Sequence, residues 1–192
     1  MIDKALLEKN SIDLKEFSLF LNSLDIQVAQ YRNKNGTIFD LEKELVTIKD
    51  VFNGKVIIND YIDLLDLADG LHLGQEDIER LYSNKKEAIN KIKLEYPDRI
   101  LGISTHNIYE VLEANILNLD YIGLGAYRST TTKKDALVKG EELLKIANES
   151  KHNVALIGGV KLNDDFKKYP RIYYKVVGSD LINEFIYKYE KS

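Results

Sequence analysis

Gly70-Leu-His-Leu-Gly-Gln-Glu-Asp77 decides how the rest of the chain is read. Its first four residues make a short apolar run of the kind that forms a buried strand. Gly74 then breaks the run, and Gln75-Glu-Asp77 opens a helical pattern. The same junction recurs along the chain. Apolar runs at 26–29, 56–58, 100–103, 121–124, 154–157 and 173–177 each lead into polar or glycine residues: Gln30-Tyr-Arg-Asn-Lys34, Asn59-Asp60, Ser104-Thr-His106, Gly125 to Lys134, Gly158-Gly159 and Gly178-Ser179. Between the runs lie helical spacings. Ile38, Leu41, Leu45, Ile48 and Phe52 line one helical face, and comparable faces occur over 14–24, 87–94, 108–117, 141–147 and 181–187.

Strands alternating with helices across such short connections imply parallel strands covered by helices. Two architectures remain, a compact (β/α)8 TIM barrel and an open doubly wound sheet. Seven strands are evident, one fewer than a barrel needs. The polar residues separate the alternatives. They are spread over nearly every strand end, and only a closed barrel gathers all those ends on one rim. The expectation is therefore α/β, a single TIM-barrel domain over residues 1–192.

Composition narrows the chemistry. The 192 residues contain no cysteine, which excludes disulfide scaffolds, Cys-ligated metals and thiol nucleophiles. No apolar run approaches the ~20 residues of a membrane span, and the first ten residues do not resemble a secretory signal. A cytoplasmic protein is expected. The formal charge of −4 argues against a nucleic-acid partner.

The strand ends carry Arg32, Lys34 and Lys133 against Asp60 and Asp77. Three cations beside two separated carboxylates suit a phosphate or diphosphate bound with Mg²⁺, which takes one or two protein carboxylates and fills its octahedron with phosphate oxygens and water. Thr130-Thr-Thr-Lys-Lys134 adds hydroxyl donors, and Gly158-Gly159 and Gly178-Ser179 offer backbone N–H groups. Each piece also has a plainer reading. Asn59-Asp60 suits a turn or cap, Gln75-Glu-Asp77 complements a helix dipole, Lys133-Lys134 suits a solvated pair, His72 a packed histidine, and Ser104-Thr-His106 an N-cap. Independent caps would not require Arg32, Lys34 or Lys133 at strand ends.

In chain order, Gln30-Tyr-Arg-Asn-Lys34, Val56-Ile-Ile-Asn-Asp60, Gly70 to Asp77, Gly102-Ile-Ser-Thr-His106, Asp120 to Gly125, Thr130-Thr-Thr-Lys-Lys-Asp135 and Ile157-Gly-Gly-Val160 resemble the thiamine phosphate synthase family. The resemblance implies a transferase that joins hydroxymethylpyrimidine diphosphate to hydroxyethylthiazole phosphate, giving thiamine phosphate and diphosphate. It implies Mg²⁺ on Asp60 and Asp77, and the diphosphate on Arg32, Lys34, Asn59 and Lys133. Gln30 and Ser104 would contact the pyrimidine, while Thr130, Thr132, Gly159, Gly178 and Ser179 would hold the thiazole phosphate. The partners implied are these small molecules, with a homo-oligomer left open.

Three places depart from the family pattern. The apolar residues before Ile2-Asp3 are missing, so either the first strand is very short or the chain starts upstream of Met1. The helix near 163–169 is abbreviated. The last loop reads Val177-Gly-Ser-Asp180, which brings a carboxylate toward the phosphate site. Two alternatives follow: a catalytically reduced homologue that binds a thiamine-related phosphate, and a thiazole tautomerase. The tautomerase needs a histidine where this chain has Ala126.

Overall fold

The computed structural model describes residues 1–81, 84–128 and 140–190. Its strands are β1 (Ile2–Asp3), β2 (Val28–Arg32), β3 (Lys55–Asn59), β4 (Gly70–Leu73), β5 (Ile100–Thr105), β6 (Tyr121–Leu124), β7 (Asn153–Val160) and β8 (Ile172–Val177). Its helices are α1 (Lys4–Lys9), α2 (Leu14–Ser23), α3 (Ile38–Val51), α4 (Gln75–Leu81), α5 (Lys85–Glu95), α6 (Ile108–Ala114), α7 (Glu141–Ala147) and α8 (Ser179–Glu190), with a 3₁₀ helix over Ile62–Leu67. The eight strands follow one another in chain order in one sheet. A doubly wound sheet would break that order at its switch point, so the topology is that of the barrel class. β1 supplies the eighth strand with only two residues, paired Ile2 to Tyr31 and Asp3 to Arg32.

Two elements differ from the sequence expectation. Residues 161–171 form turns rather than even a short helix. β7 runs on through Gly158 and Gly159, with a register irregularity against β8 between Ile157 and Val160. Both glycines have positive φ, 93° and 61°, so the strand bends where an L side chain would be strained.

The chain groups into two compact units, Met1–His72 with the segment from Leu181, and Leu73–Asp180. In the first unit, Phe17 and Phe20 of α2 meet Phe185 of α8 at ring-centroid distances of 5.6 and 5.3 Å. α3 buries Leu41, Leu45 and Ile48, whereas Ile38, expected on that face, is half exposed in the first turn. A capping box between Thr37 and Asp40 starts this helix.

One device occurs once in each unit. Asp69, just before β4, accepts the Val56 N–H on Oδ2 at 2.7 Å and the Lys49 ammonium at 2.8 Å. Asp120, just before β6, accepts the Leu101 N–H at 2.7 Å and the Lys93 ammonium at 2.5 Å. Each aspartate also donates its own N–H to the same strand residue, at 2.8 and 2.9 Å. Each thus sets the register of a strand pair from its amino end. In the second unit, the Tyr121 ring covers Gly102, where any Cβ would collide with it.

Removing Phe185 opens a cavity in the aromatic cluster. Phe185→Ala is expected to lower unfolding free energy by about 3–5 kcal/mol, measured by urea denaturation. Leu19→Ala, on the half-exposed face of α2, is expected to change it by no more than about 0.5 kcal/mol.

Candidate functional site

In the first unit the strand pleat sorts the residues. Tyr31 of β2 faces α3, donating its hydroxyl to Glu44, so Gln30 and Arg32 lie on the opposite face. Arg32 sits beside its register partner Asp3, donating to Oδ2 at 2.6 Å. Asp3 is 2 % exposed, and its other oxygen accepts the Leu6 N–H at 3.2 Å, capping α1. A single buried carboxylate therefore starts a helix and fixes a guanidinium. On β3, Asn59 pairs in register with His72, and its side-chain amide donates to Asp60. Asp60 takes the left-handed conformation, φ 69°, which Asp tolerates better than most residues. Its N–H donates to the His72 carbonyl at 2.9 Å. His72 is buried within β4, as the plainer reading expected.

Lys34 lies exposed on a firmly held turn. The Asn33 side chain accepts the Asn35 and Gly36 N–H groups at 3.2 and 3.0 Å and donates to Glu44 at 2.9 Å. Glu44 also takes Lys4 at 2.9 Å. Burial and this carboxylate push the Tyr31 hydroxyl well above its usual range, so Tyr31 stays a donor and the turn stays tied to α3.

In the second unit, Asp77 lies in the first turn of α4, and Gln75 opens that helix. The Gln75 amide donates to the Ser104 carbonyl at 2.6 Å, tying α4 to the carboxyl end of β5. Its Oε1 is buried and has no hydrogen-bond partner among the described residues. The N-cap of α6 is Asn107, not Ser104; it accepts the Glu110 N–H at 3.0 Å.

The other cluster in this unit surrounds the glycine pair. Val160 pairs with Val177, which brings Gly159 and Gly178 to the same end of adjoining strands. Beyond β6, the Tyr127 and Arg128 N–H groups donate to the Ile157 and Gly158 carbonyls at 2.9 and 2.8 Å. The Arg128 guanidinium donates to the Gly159 carbonyl at 2.9 Å and to both oxygens of Asp164, at 2.5 and 2.9 Å. The ion pair holds the Asp164 carboxyl below its ordinary value and Arg128 above it. Asp180 does not simply face outward, since its Oδ2 accepts the Leu162 N–H at 2.9 Å. Ser179 is exposed at the start of α8.

Lys133, Thr130 and Thr132 fall outside the described residues. Of the remaining candidate residues, the first unit holds Gln30, Arg32, Lys34, Asn59 and Asp60, and the second holds Asp77, Ser104, Gly159, Gly178 and Ser179. Sequence reasoning missed Gln75, Arg128 and Asp164. Arg128 lay inside a polar strand end already noted, but nothing local marked Asp164 as its partner. Among the described residues no cluster of three or more His, Cys, Asp or Glu side chains could cage a metal. Mg²⁺ asks less than a cage, needing one or two carboxylates with phosphate and water oxygens. Asp60 in the first unit and Asp77 in the second each carry one carboxylate.

The family model described as thiamine monophosphate synthase matches residues 9–165. The chain is 38 % identical to the thiamine-phosphate synthase of Persephonella marina over 139 residues, 69 % of this chain and 63 % of the relative. It is 35 % identical to that of Fusobacterium nucleatum over 145 residues, 72 % of this chain and 66 % of the relative. It thus spans a little under two thirds of each relative's length. A solved thiamine phosphate pyrophosphorylase from Pyrococcus furiosus is similar at a TM-score of 0.67 and 27 % identity, covering 83 % of this chain and 74 % of that one. No helix among the described residues is long and apolar enough to cross a membrane.

Because the folded Asp164 carboxyl titrates below the ordinary 3.8, its contribution is present above that pH and lost as pH falls through the folded value. Asp164→Asn is expected to cost about 1 kcal/mol or less at neutral pH, since the pair is partly exposed. The cost should shrink toward zero in strong acid, as read from urea midpoints of both proteins against pH.

Proposed function

The chain belongs to the thiamine monophosphate synthase family, and from that premise we propose that it joins 4-amino-5-hydroxymethyl-2-methylpyrimidine diphosphate to hydroxyethylthiazole phosphate, forming thiamine phosphate and releasing diphosphate. The observation that carries this reading is the Asp3–Arg32 pair on the open face of β2, with Gln30 on the same face and Asn59-Asp60 ending the neighbouring strand. A guanidinium anchored by a buried carboxylate is already oriented, so little ordering remains when an anion arrives.

The reaction suits these residue types. The amino-pyrimidine stabilises positive charge at its exocyclic carbon, and the thiazole nitrogen is already nucleophilic, so no protein nucleophile is required. The barrier falls as charge on the departing diphosphate is neutralised. Arg32, Lys34 and Lys133 receive that charge, and Asn59 donates to it. Gln30 and Ser104 orient the pyrimidine, while Thr130, Thr132, Gly159, Gly178 and Ser179 hold the thiazole phosphate. On the family pattern Asp60 and Asp77 would hold Mg²⁺, which supplies further positive charge to the diphosphate. The proposed location is the cytoplasm.

Purified protein given both substrates and Mg²⁺ is expected to form thiamine phosphate, and chelator to abolish it. Absence of product while either substrate still binds would overturn the synthase reading in favour of a binding homologue. Lys133→Ala is expected to lower kcat on the order of 10²- to 10³-fold, the scale for a group acting on transition-state charge, with smaller changes in KM. Asp77→Asn should raise the Mg²⁺ concentration needed for half-maximal rate; an unchanged requirement would remove Asp77 from the metal site.

A further inference from the structure

The Arg128–Asp164 pair has no part in the roles assigned above, although its geometry bears directly on Gly159. In a trans peptide the N–H points opposite to the C=O. The Arg128 N–H fixes the Gly158 carbonyl, so the Gly159 N–H is turned away from the β6 extension. The Arg128 side chain fixes the Gly159 carbonyl, and with it the next peptide plane. Two successive planes determine the conformation of the residue between them, here Gly159 at φ 61°. A glycine without such restraint wanders more widely than any other residue.

The remaining contacts hold the guanidinium in place. Asp164 grips it with both oxygens and is itself held by the Lys161 N–H at 2.8 Å. The guanidinium carbon lies over the Tyr127 ring, 4.4 Å from the centroid, and Tyr127 packs edge-on against the buried ring of Phe166 at 5.4 Å. The Arg128 side chain is nevertheless 40 % exposed, and a pair in that setting adds little to stability. Its effect is on geometry.

We propose that Arg128 and Asp164 are positioning residues that fix the Gly159 backbone for the phosphate of the thiazole substrate, and so set the affinity for that substrate alone. The proposal rests on the synthase reading given above. Neither side chain is assigned a contact with the substrate; both act through the orientation of the glycine peptide.

The test compares KM values for the two substrates in wild type, Arg128→Gln, Asp164→Asn and the double variant. The single variants are expected to raise KM for hydroxyethylthiazole phosphate about tenfold, the order for loss of preorganisation. KM for the pyrimidine diphosphate should stay within about twofold. The double variant should be no worse than either single, since both remove one unit. Arg128→Lys keeps the charge but not the two-pronged grip, and should not rescue. Equal rises in both KM values, no rise in either, or rescue by lysine would each overturn the proposal. Should Arg128→Gln fail to fold, Asp164→Asn decides alone. A wild type that makes no thiamine phosphate overturns the synthase reading instead. Inorganic phosphate then serves as the probe: a thermal-midpoint shift larger in wild type than in Arg128→Gln supports the positioning role, and equal shifts overturn it.

Discussion

Parallel pairing between strands adjacent in sequence is the constraint from which the rest of the structure follows. A parallel pair cannot be joined by a tight hairpin, so each connection must return the chain to the starting edge before the next strand begins. Residues that end one strand and residues that end its neighbour then lie on the same edge, however far apart they are in sequence. Val160 and Val177 meet in this way, as do Asn59 and His72. The opposite edge is left to structural work. There Asp69 and Asp120 each bind a strand N–H and a helix lysine.

This division explains why the sequence was legible where it was. Continuous apolar runs flanked by glycine and polar residues identify buried parallel strands, and strand order follows from chain order. Candidate residues stood out where a cation such as Arg32, among the polar residues that close an apolar run, has no reason to be there as a cap. Three things escaped that logic. β1 is too short to leave a pattern, and its pairing depends on the fit of Ile2 and Asp3 against β2. The bend at Gly158 and Gly159 reads as a loop because glycine ends strands more often than it continues them. The Arg128–Asp164 pair joins two connections, and side-chain pairing across connections leaves no periodic trace.

The strand ends also differ in how their polar groups are held. Arg32 is held by a carboxylate buried beneath it, Lys34 stands on an asparagine turn, and Gly159 is held through its own peptide carbonyls. Each arrangement restricts a flexible group through hydrogen bonds to a neighbouring segment. The buried Oε1 of Gln75 is the exception, an acceptor without a donor among the described residues while its amide nitrogen holds β5.

The aromatic contact of Phe185 with Phe17 and Phe20 has a consequence for synthesis on the ribosome. The unit that begins with Met1 draws α8 from beyond the second unit, so its core cannot close until residues up to Phe185 have emerged. The unit from Leu73 to Asp180 is continuous and can be completed while translation is still under way. During that interval the α2 face that receives Phe185 has no covering ring, and a nascent chain stalled before α8 would leave Phe17 and Phe20 without their partner ring.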